Sequence, residues 1–137
     1  MTEKQYIQPE GIFDGSALGF TQVVTSPPGT LVFVSGQVPW DINRQLVGDT
    51  DLAAQTEQVL KNLDLALKGA GASVSDVTMI HVFFVDYKPD YAAIVIPILN
   101  KFFGGKPPAS TWLGVQTLAN PHLRIEIEAI AVVGRDS

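Results

Sequence analysis

Cysteine is absent from the 137-residue sequence, and histidine occurs only twice. Without cysteine the chain has no disulfide bond, no thiolate nucleophile and no cysteine-ligated metal. The two histidines, His81 and His122, are far apart and have no acidic residue at metal-binding spacing, so we expect no metal site. His81 falls inside an apolar strand and is predicted to be a hydrogen-bonded core residue. His122 follows Asn120-Pro121 in a predicted exposed turn.

Long hydrophobic runs are also lacking. No apolar stretch approaches the roughly 20 residues that a membrane-spanning helix needs. The first five residues, Met1-Thr2-Glu3-Lys4-Gln5, do not contain the apolar segment of a secretory signal. We therefore expect a cytoplasmic protein that has no membrane partner.

Positive charge is scarce and scattered. Nine Lys and Arg residues stand against fourteen Asp and Glu residues, for a net charge of -5. A surface that binds phosphate groups needs concentrated positive charge, and no cluster of basic residues occurs here. Nucleic acid is therefore not expected as a partner.

Apolar residues are plentiful in comparison. They make up 46% of the chain while charged residues make up only 17%, which supplies enough material for a core and too little charge for a disordered chain. The length suits a single domain over residues 1–137, with residues 1–17 as an N-terminal arm and loop. So low a charged fraction in a small domain also suggests that a partner subunit covers part of the surface.

Five segments are predicted to be β-strands because they are rich in β-branched and aromatic residues and are bounded by Gly, Pro or Asn. The predicted strands cover residues 20–25, 31–37, 79–85, 110–118 and 123–133. The sequence Ser26-Pro27-Pro28-Gly29 separates the first two, which indicates a hairpin-type connection.

Two segments have helical periodicity. The first begins after an N-cap at Thr50 or Asp51, repeats apolar residues to Leu67, and ends at Gly69 and Gly71. The second covers residues 89–103. It contains Pro97, which removes a backbone donor and clashes with the preceding turn, so we expect a kink or an early break there.

The order β-β-α-β-α-β-β predicts an α+β fold in which one mixed sheet carries both helices on one face. The alternation along the last strand directs Ile125, Ile127 and Ala129 towards the helices. The other face is then predicted to be open. Its residues would be Ser35, Gln37, Ser110, Trp112, Arg124, Glu126 and Glu128. Packing of this face against copies of the same chain would cover it.

Short segments in a characteristic order identify a family resemblance, which extends from about Gly19 to Val133. They are Ser35-Gly36-Gln37-Val38-Pro39, Ala54-Gln55, Asn62-Leu63, Gly69-Ala70-Gly71, Val82-Phe83, Pro108-Ala109 and Ile125-Glu126-Ile127-Glu128-Ala129-Ile130-Ala131. The pattern resembles the Rid/YjgF family of reactive intermediate deaminases, also described as L-PSP endoribonuclease-like. The resemblance implies a chorismate-mutase-like domain, a homotrimer with a small-molecule ligand in clefts between subunits, and hydrolysis of imines and enamines without metal or cofactor.

The resemblance also implies roles for individual residues. Glu128, the second glutamate of the Ile-Glu-Ile-Glu segment, corresponds to the residue that positions water. Ser35 and Gly36 correspond to a loop whose backbone holds the substrate. Phe20 stands where many members have tyrosine, and Val95 or Ile96 where many have asparagine.

One departure from the family pattern concerns substrate choice. Ser110 stands where family members have an arginine that grips the substrate carboxylate, and Trp112 replaces a small residue. Serine lacks the charge and the planar fork of arginine. The three arginines of the chain, Arg44, Arg124 and Arg135, lie elsewhere in the sequence.

The function predicted from these residues is hydrolysis of a neutral or aromatic imine or enamine. The alternative is a trimer that binds or senses a small molecule without catalysis. A ribonuclease or translation inhibitor is less consistent with the acidic composition. Glu128 could instead be a structural carboxylate paired with Arg124 or with a neighbouring subunit, and Glu126 is expected to be an interface or solvent-facing residue. Trp112 could fill a gap between subunits or stack on a ligand ring.

Overall fold

The computed structural model describes residues 3–134. Its main sheet contains four strands: β3 (Gly29–Gln37), β4 (Val77–Val85), β5 (Ala109–Val115) and β6 (Ile125–Gly134). Their order across the sheet is β3-β6-β4-β5. β4 and β5 run parallel, whereas β6 is antiparallel to both β3 and β4. The predicted mixed sheet is therefore confirmed.

Two helices cover one face of this sheet. In α1 (Leu52–Gly69), Asp51 is the N-cap residue, and its side chain accepts a hydrogen bond from the Ala54 amide at 2.9 Å. α2 (Asp90–Phe102) continues through Pro97, which is exposed, so the expectation of an early break is wrong. The core lies between helices and sheet. It includes Leu60, Leu63, Leu67, Ile80, Val82, Phe84, Val95, Leu99, Ile125 and Ile127. This arrangement confirms the predicted α+β class.

The N-terminal region forms a separate two-stranded sheet. β1 (Gln5–Ile7) pairs antiparallel with β2 (Val23–Thr25), while β3 pairs with β6. The predicted hairpin between the first two strands is therefore wrong. Residues that precede proline are held in an extended conformation, so the Ser26-Pro27-Pro28 segment carries the chain onward instead of turning it back. The predicted arm over residues 1–17 contains β1 within its described part.

A β-bulge interrupts the pairing of β3 with β6 between Val34 and Gln37. The extra residue reverses the alternation beyond it, because the side-chain period of a strand is two. Gln37 therefore pairs with Ile127, whose side chain is buried under the helices, and the prediction that Gln37 lies on the open face is wrong. Before the bulge, Leu31 and Phe33 are 59% and 71% exposed on the open face.

Within residues 3–134, neither helix has the length and apolar character that crossing a lipid bilayer requires.

Candidate functional site

The open face of the main sheet carries two carboxylates on β6. Glu126 and Glu128 alternate with the buried Ile125 and Ile127, so both project away from the helices as the strand alternation predicted. The sheet register places Phe83 of β4 beside Glu126 and His81 beside Glu128. Since β6 and β4 are the two inner strands of the sheet, the carboxylates lie in the middle of the open face.

Glu128 forms an ion-pair contact with His81. Nδ1 of His81 lies 3.1 Å from Oε1 of Glu128, and the two side chains are 32% and 43% exposed. His81 is therefore not a core residue, contrary to the prediction. Both side chains line a cavity of about 320 Å³ together with Ser35, which lies in the β3 bulge.

The alternative in which Glu128 pairs with Arg124 of the same chain is not observed. Arg124 precedes β6, and among the described residues its side chain makes no ion pair, whereas its amide donates a hydrogen bond to Gln55 Oε1 at 2.8 Å. His81 contacts Glu128 because the two residues are directly paired across adjacent strands. Arg44 lies 5.9 Å from the Trp40 ring, and Arg135 is outside the described residues.

Gly36 lies in the β3 bulge, directly against Glu126. A Cβ atom at Gly36 would overlap Oε2 of Glu126, so the absence of a side chain creates the space that this carboxylate occupies. Burial raises the pKa of Glu126, and the neighbouring Glu128 raises it further. Glu126 is therefore a candidate functional carboxylate as well as Glu128, although we predicted only an interface or solvent role for it.

Ser110 and Trp112 lie on the opposite face of the sheet from Glu128, which corrects the prediction that all three share the open face. In the β4–β5 register Ser110 is beside Ile80 and Trp112 is beside Val82. Both neighbours are buried under the helices. The sequence alone did not define the register of β5, and a shift of one residue moves every side chain to the other face.

A second cavity, of about 360 Å³, opens at the β5 edge of the helix-covered face. We call it the edge pocket. Its lining includes Leu18, Phe20, Tyr87, Ile96, Ser110 and Trp112. No described residue that lines it is charged.

The polar and aromatic groups of the edge pocket have defined surroundings. The Ser110 hydroxyl is buried and has no hydrogen-bond partner among the described residues. The ring centroid of Trp112 lies 5.0 Å from that of Phe84 and 6.5 Å from that of Tyr87. The pocket is therefore flat-sided and aromatic, and the buried Ser110 hydroxyl in it is available to a ligand.

Phe20 reaches the edge pocket because the next residue is fixed to the chain before β5. The buried Thr21 makes two hydrogen bonds there: its hydroxyl donates to the Pro107 carbonyl at 2.6 Å and its amide donates to the Pro108 carbonyl at 3.1 Å. Phe20, Ser110 and Trp112 are thus brought together as the predicted side pocket. Of the two aligned positions on α2, Ile96 lines the pocket whereas Val95 is buried in the core.

Sequence reasoning missed three residues as functional candidates: His81 and Tyr87 line these cavities, and Glu126 lies against Gly36. His81 and Glu126 could have been found only with the strand register, because their significance lies in what they face across the sheet. Tyr87 follows Asp86, whose φ of 52° is uncommon for a residue other than glycine. This signal belongs to the backbone conformation and cannot be read from the sequence.

The candidate residues therefore form two groups in one chain. Ser35, Gly36 and Glu128 are on the open face or at its edge, and Phe20, Ser110 and Trp112 are on the helix-covered side. A further groove of about 690 Å³ between α1 and α2 contains none of them. Within residues 3–134, no three His, Asp or Glu side chains are grouped as metal ligands.

Comparison with known proteins gives consistent results. The family model described as endoribonuclease L-PSP matches residues 15–133. The chain is 36% identical over 130 residues to the 3-aminoacrylate deaminase RutC of Acinetobacter baylyi, covering 95% of this chain and 98% of that protein. It is 34% identical over 113 residues to the protein DfrA of Myxococcus xanthus, covering 82% and 84%.

A solved structure is similar over nearly the whole fold. YyfB from Yersinia pestis, a protein of unknown function in the conserved Rid protein family, superposes with a TM-score of 0.92. The two sequences are 38% identical, and the match covers 96% of this chain and 100% of that one.

Proposed function

The chain belongs to the endoribonuclease L-PSP family, also called the Rid or YjgF family, and on that premise we propose that it hydrolyses imines or enamines. The reaction would release ammonia and leave a carbonyl product, and it would need no metal or organic cofactor. The deaminase activity of the relative RutC supports this reaction class. The net charge of -5 and the lack of a basic cluster argue against a ribonuclease.

The observation that carries the proposal is the arrangement around the β3 bulge. Gly36 has its Cα against the Glu126 carboxylate, and Ser35 shares a cavity with Glu128. Backbone groups at a bulge are not all used by the sheet ladder, so they can bond a ligand. The backbone groups could hold the substrate, and a carboxylate beside them could accept the proton of water.

We assign the roles as follows. Glu128 orients the water that attacks the C=N carbon, and the Gly36 backbone with Ser35 holds the reacting group. Phe20, Ser110 and Trp112 shape the pocket for the remainder of the substrate. Glu126 is the second carboxylate of the same strand, and its raised pKa allows it to hold a proton closer to neutral pH than an ordinary glutamate.

The site requires more than one copy of the chain. The residues that handle water and those that shape the side pocket lie on opposite faces of one sheet, so a single chain cannot close them around one molecule. Contact between the open face of one copy and the β5 edge of its neighbour would complete a cleft. A closed ring of three copies satisfies this requirement, and we therefore propose a homotrimer with the ligand between subunits.

The edge pocket supports a neutral or aromatic substrate. Ser110 supplies a hydroxyl where a carboxylate would need a charged donor, and the pocket has no charged lining residue among those described. A flat ring can stack on Trp112 or Tyr87, with one polar group bonded to Ser110. Small enamines that carry a carboxylate are expected to be poor substrates.

The same uncharged lining favours one alternative, a trimer that binds a small molecule and has no catalytic activity. Such a protein would retain the edge pocket and bind the same flat, neutral ligands. It would differ from the hydrolase in one respect only, because its carboxylates would be structural.

The test measures ammonia release from acetophenone imine, an aromatic imine without a carboxylate. We expect the Glu128→Gln variant to lose about 100-fold or more in kcat/KM, which is the usual size of a general acid–base contribution. Glu57→Gln, an exposed change on α1, is the matched control and should retain full activity. Glu126→Gln shows whether the neighbouring carboxylate shares the role. If wild type releases ammonia from neither acetophenone imine nor 2-aminoacrylate, or if Glu128→Gln keeps full activity, this mechanism is rejected.

A further inference from the structure

His81 presents its ring on the open face, directly across the β4–β6 pair from Glu128. One ring nitrogen is committed to that carboxylate, with Nδ1 at 3.1 Å from Oε1. The side chain remains 32% exposed and lines the cavity that also contains Ser35. A histidine–carboxylate pair thus borders the loop to which we assign substrate binding.

The contact determines which nitrogen of the ring carries the proton. An ionised carboxylate offers only lone pairs, so a neutral ring must donate to Glu128 through Nδ1–H. Nε2 is then left with its lone pair, and no described residue hydrogen-bonds to it. A carboxylate that holds Nδ1–H and leaves Nε2 free is the arrangement by which hydrolases orient a histidine base.

We propose that His81 is a second catalytic residue, whose Nε2 takes the proton of the attacking water while Glu128 holds the ring. The inference rests on the proposed function, because it assigns a step of that hydrolysis. It also explains why a carboxylate that could act alone is paired with a titratable neighbour on the adjacent strand.

The hydrolysis balances in protons and electrons without another reactant. Water oxygen attacks the carbon of the protonated imine, the π pair moves to nitrogen, and the water proton passes to Nε2. The imidazolium then protonates the amino group, the C–N bond breaks with its pair on nitrogen, and the hydroxyl proton returns to Nε2. Ammonia takes that proton, and the products are the carbonyl compound and an ammonium ion.

The charges around His81 come from one strand. β6 contributes Glu128 in contact and Glu126 two residues along the same face. β5 brings Thr111 beside His81, and β3 brings Ser35, neither of which titrates in the working range. The titratable neighbours of His81 on β6 are therefore both carboxylates.

The experiment compares the two histidines of the chain on acetophenone imine in a buffer free of imidazole. His81→Gln should lower kcat/KM about 100-fold and remove one ionisation from its pH profile. His122→Gln, at an exposed turn position, is the matched control and should change neither. Added imidazole should restore activity to His81→Ala in a saturable way and leave His122→Ala unaffected.

The outcomes separate the two proposals. If wild type releases no ammonia from this imine or from 2-aminoacrylate, the proposed function fails and the inference fails with it. If wild type is active and His81→Gln keeps both its rate and its pH profile, only the role of His81 is overturned. Should His81→Gln not assemble, nitrogen NMR of the wild-type ring decides, because a proton on Nε2 instead of Nδ1 contradicts the proposal.

Discussion

The open face and the edge pocket of the main sheet differ in almost every physical respect. The open face brings three titratable groups together, namely Glu126, Glu128 and His81, at partly exposed positions. The edge pocket is lined mainly by aromatic and aliphatic side chains, and its buried Ser110 hydroxyl has no partner among the described residues. In the proposed reaction the open face would move protons and the edge pocket would select the shape of the substrate.

Because the two regions lie on different faces of the sheet, the proposed function gives a chemical reason for the chain to assemble. An exposed apolar surface on a sheet usually marks a contact with another molecule, and here the exposed Leu31, Phe33 and Leu113 share the open face with the acidic groups. In the proposed homotrimer a second copy would cover that surface and bring the two unlike regions together in one cleft. We therefore expect substitutions on the open face to affect proton transfer and assembly, and substitutions in the edge pocket to alter substrate choice.

The largest effect is expected from Phe33→Glu. Phe33 is 71% exposed on the open face, and a charge there would have to be buried against the neighbouring copy, beside the existing carboxylates. We expect monomers in analytical ultracentrifugation. Activity on acetophenone imine should fall by roughly 100-fold or more, because the two halves of the cleft no longer meet.

Ile94→Glu is the matched control for this change. Ile94 is 39% exposed on α2, on the other side of the molecule from the open face. It should leave assembly and activity unchanged. Monomeric Phe33→Glu protein with wild-type activity would show that one chain holds a complete site. The open face of one copy and the edge pocket of another would then not act together.

A smaller and opposite effect is expected from Ser110→Arg. Arginine at this position would add the charged fork that the edge pocket lacks, and a charge-assisted hydrogen bond contributes about 1.5–3 kcal/mol. We expect kcat/KM for 2-aminoacrylate to rise by roughly 10- to 100-fold. The value for acetophenone imine should stay the same or fall. The ratio of the two values is the measurement.

Two further substitutions at Ser110 sharpen the result. Ser110→Lys supplies a charge without the planar fork and should give a smaller gain, and Ser110→Gln supplies neither and should give none. An equal gain with all three would mean that pocket volume, and not carboxylate recognition, controls the rate.

Much of this architecture could be predicted from the sequence. The alternation of Ile125, Glu126 and Ile127 correctly placed the carboxylates on the face away from the helices, and the apolar period of α1 identified its buried side. Both signals are local. A strand or helix repeats its pattern over a short stretch of chain, so composition and period suffice to recognise it.

The errors concern relations between strands. The sheet face on which Ser110 and Trp112 lie depends on how β5 pairs with β4. The face on which Gln37 lies depends on a bulge of one residue. Neither is encoded in the period of the strand concerned. The pairing of His81 with Glu128 joins residues 47 positions apart in sequence, so a single sequence offers no local sign of it.

The smallest effect is expected from Glu126→Gln, and it concerns stability. Because the pKa of Glu126 is raised in the folded chain, the native state holds its proton at pH values where the unfolded chain has lost it. Stability therefore falls as pH rises from the ordinary glutamate pKa through the raised one, and the penalty persists above it. Removing the charge should stabilise the protein at neutral pH by less than about 1 kcal/mol, since the group is partly exposed and screened.

Urea unfolding at fixed protein concentration, from mildly acidic to neutral pH, tests this expectation. Across this pH range the free energy of unfolding of wild type should fall relative to that of Glu126→Gln. Added salt should narrow the difference because it screens the repulsion from Glu128. Glu57→Gln, at an exposed position on α1, should follow wild type. Glu126→Gln could instead be the less stable protein at neutral pH. Contacts of the Glu126 carboxylate at Gly36 or across the assembled cleft would then stabilise the folded state by more than burial and repulsion from Glu128 destabilise it. Glu126 would then be a structural member of the open face, and the proton chemistry of that face would be confined to Glu128 and His81.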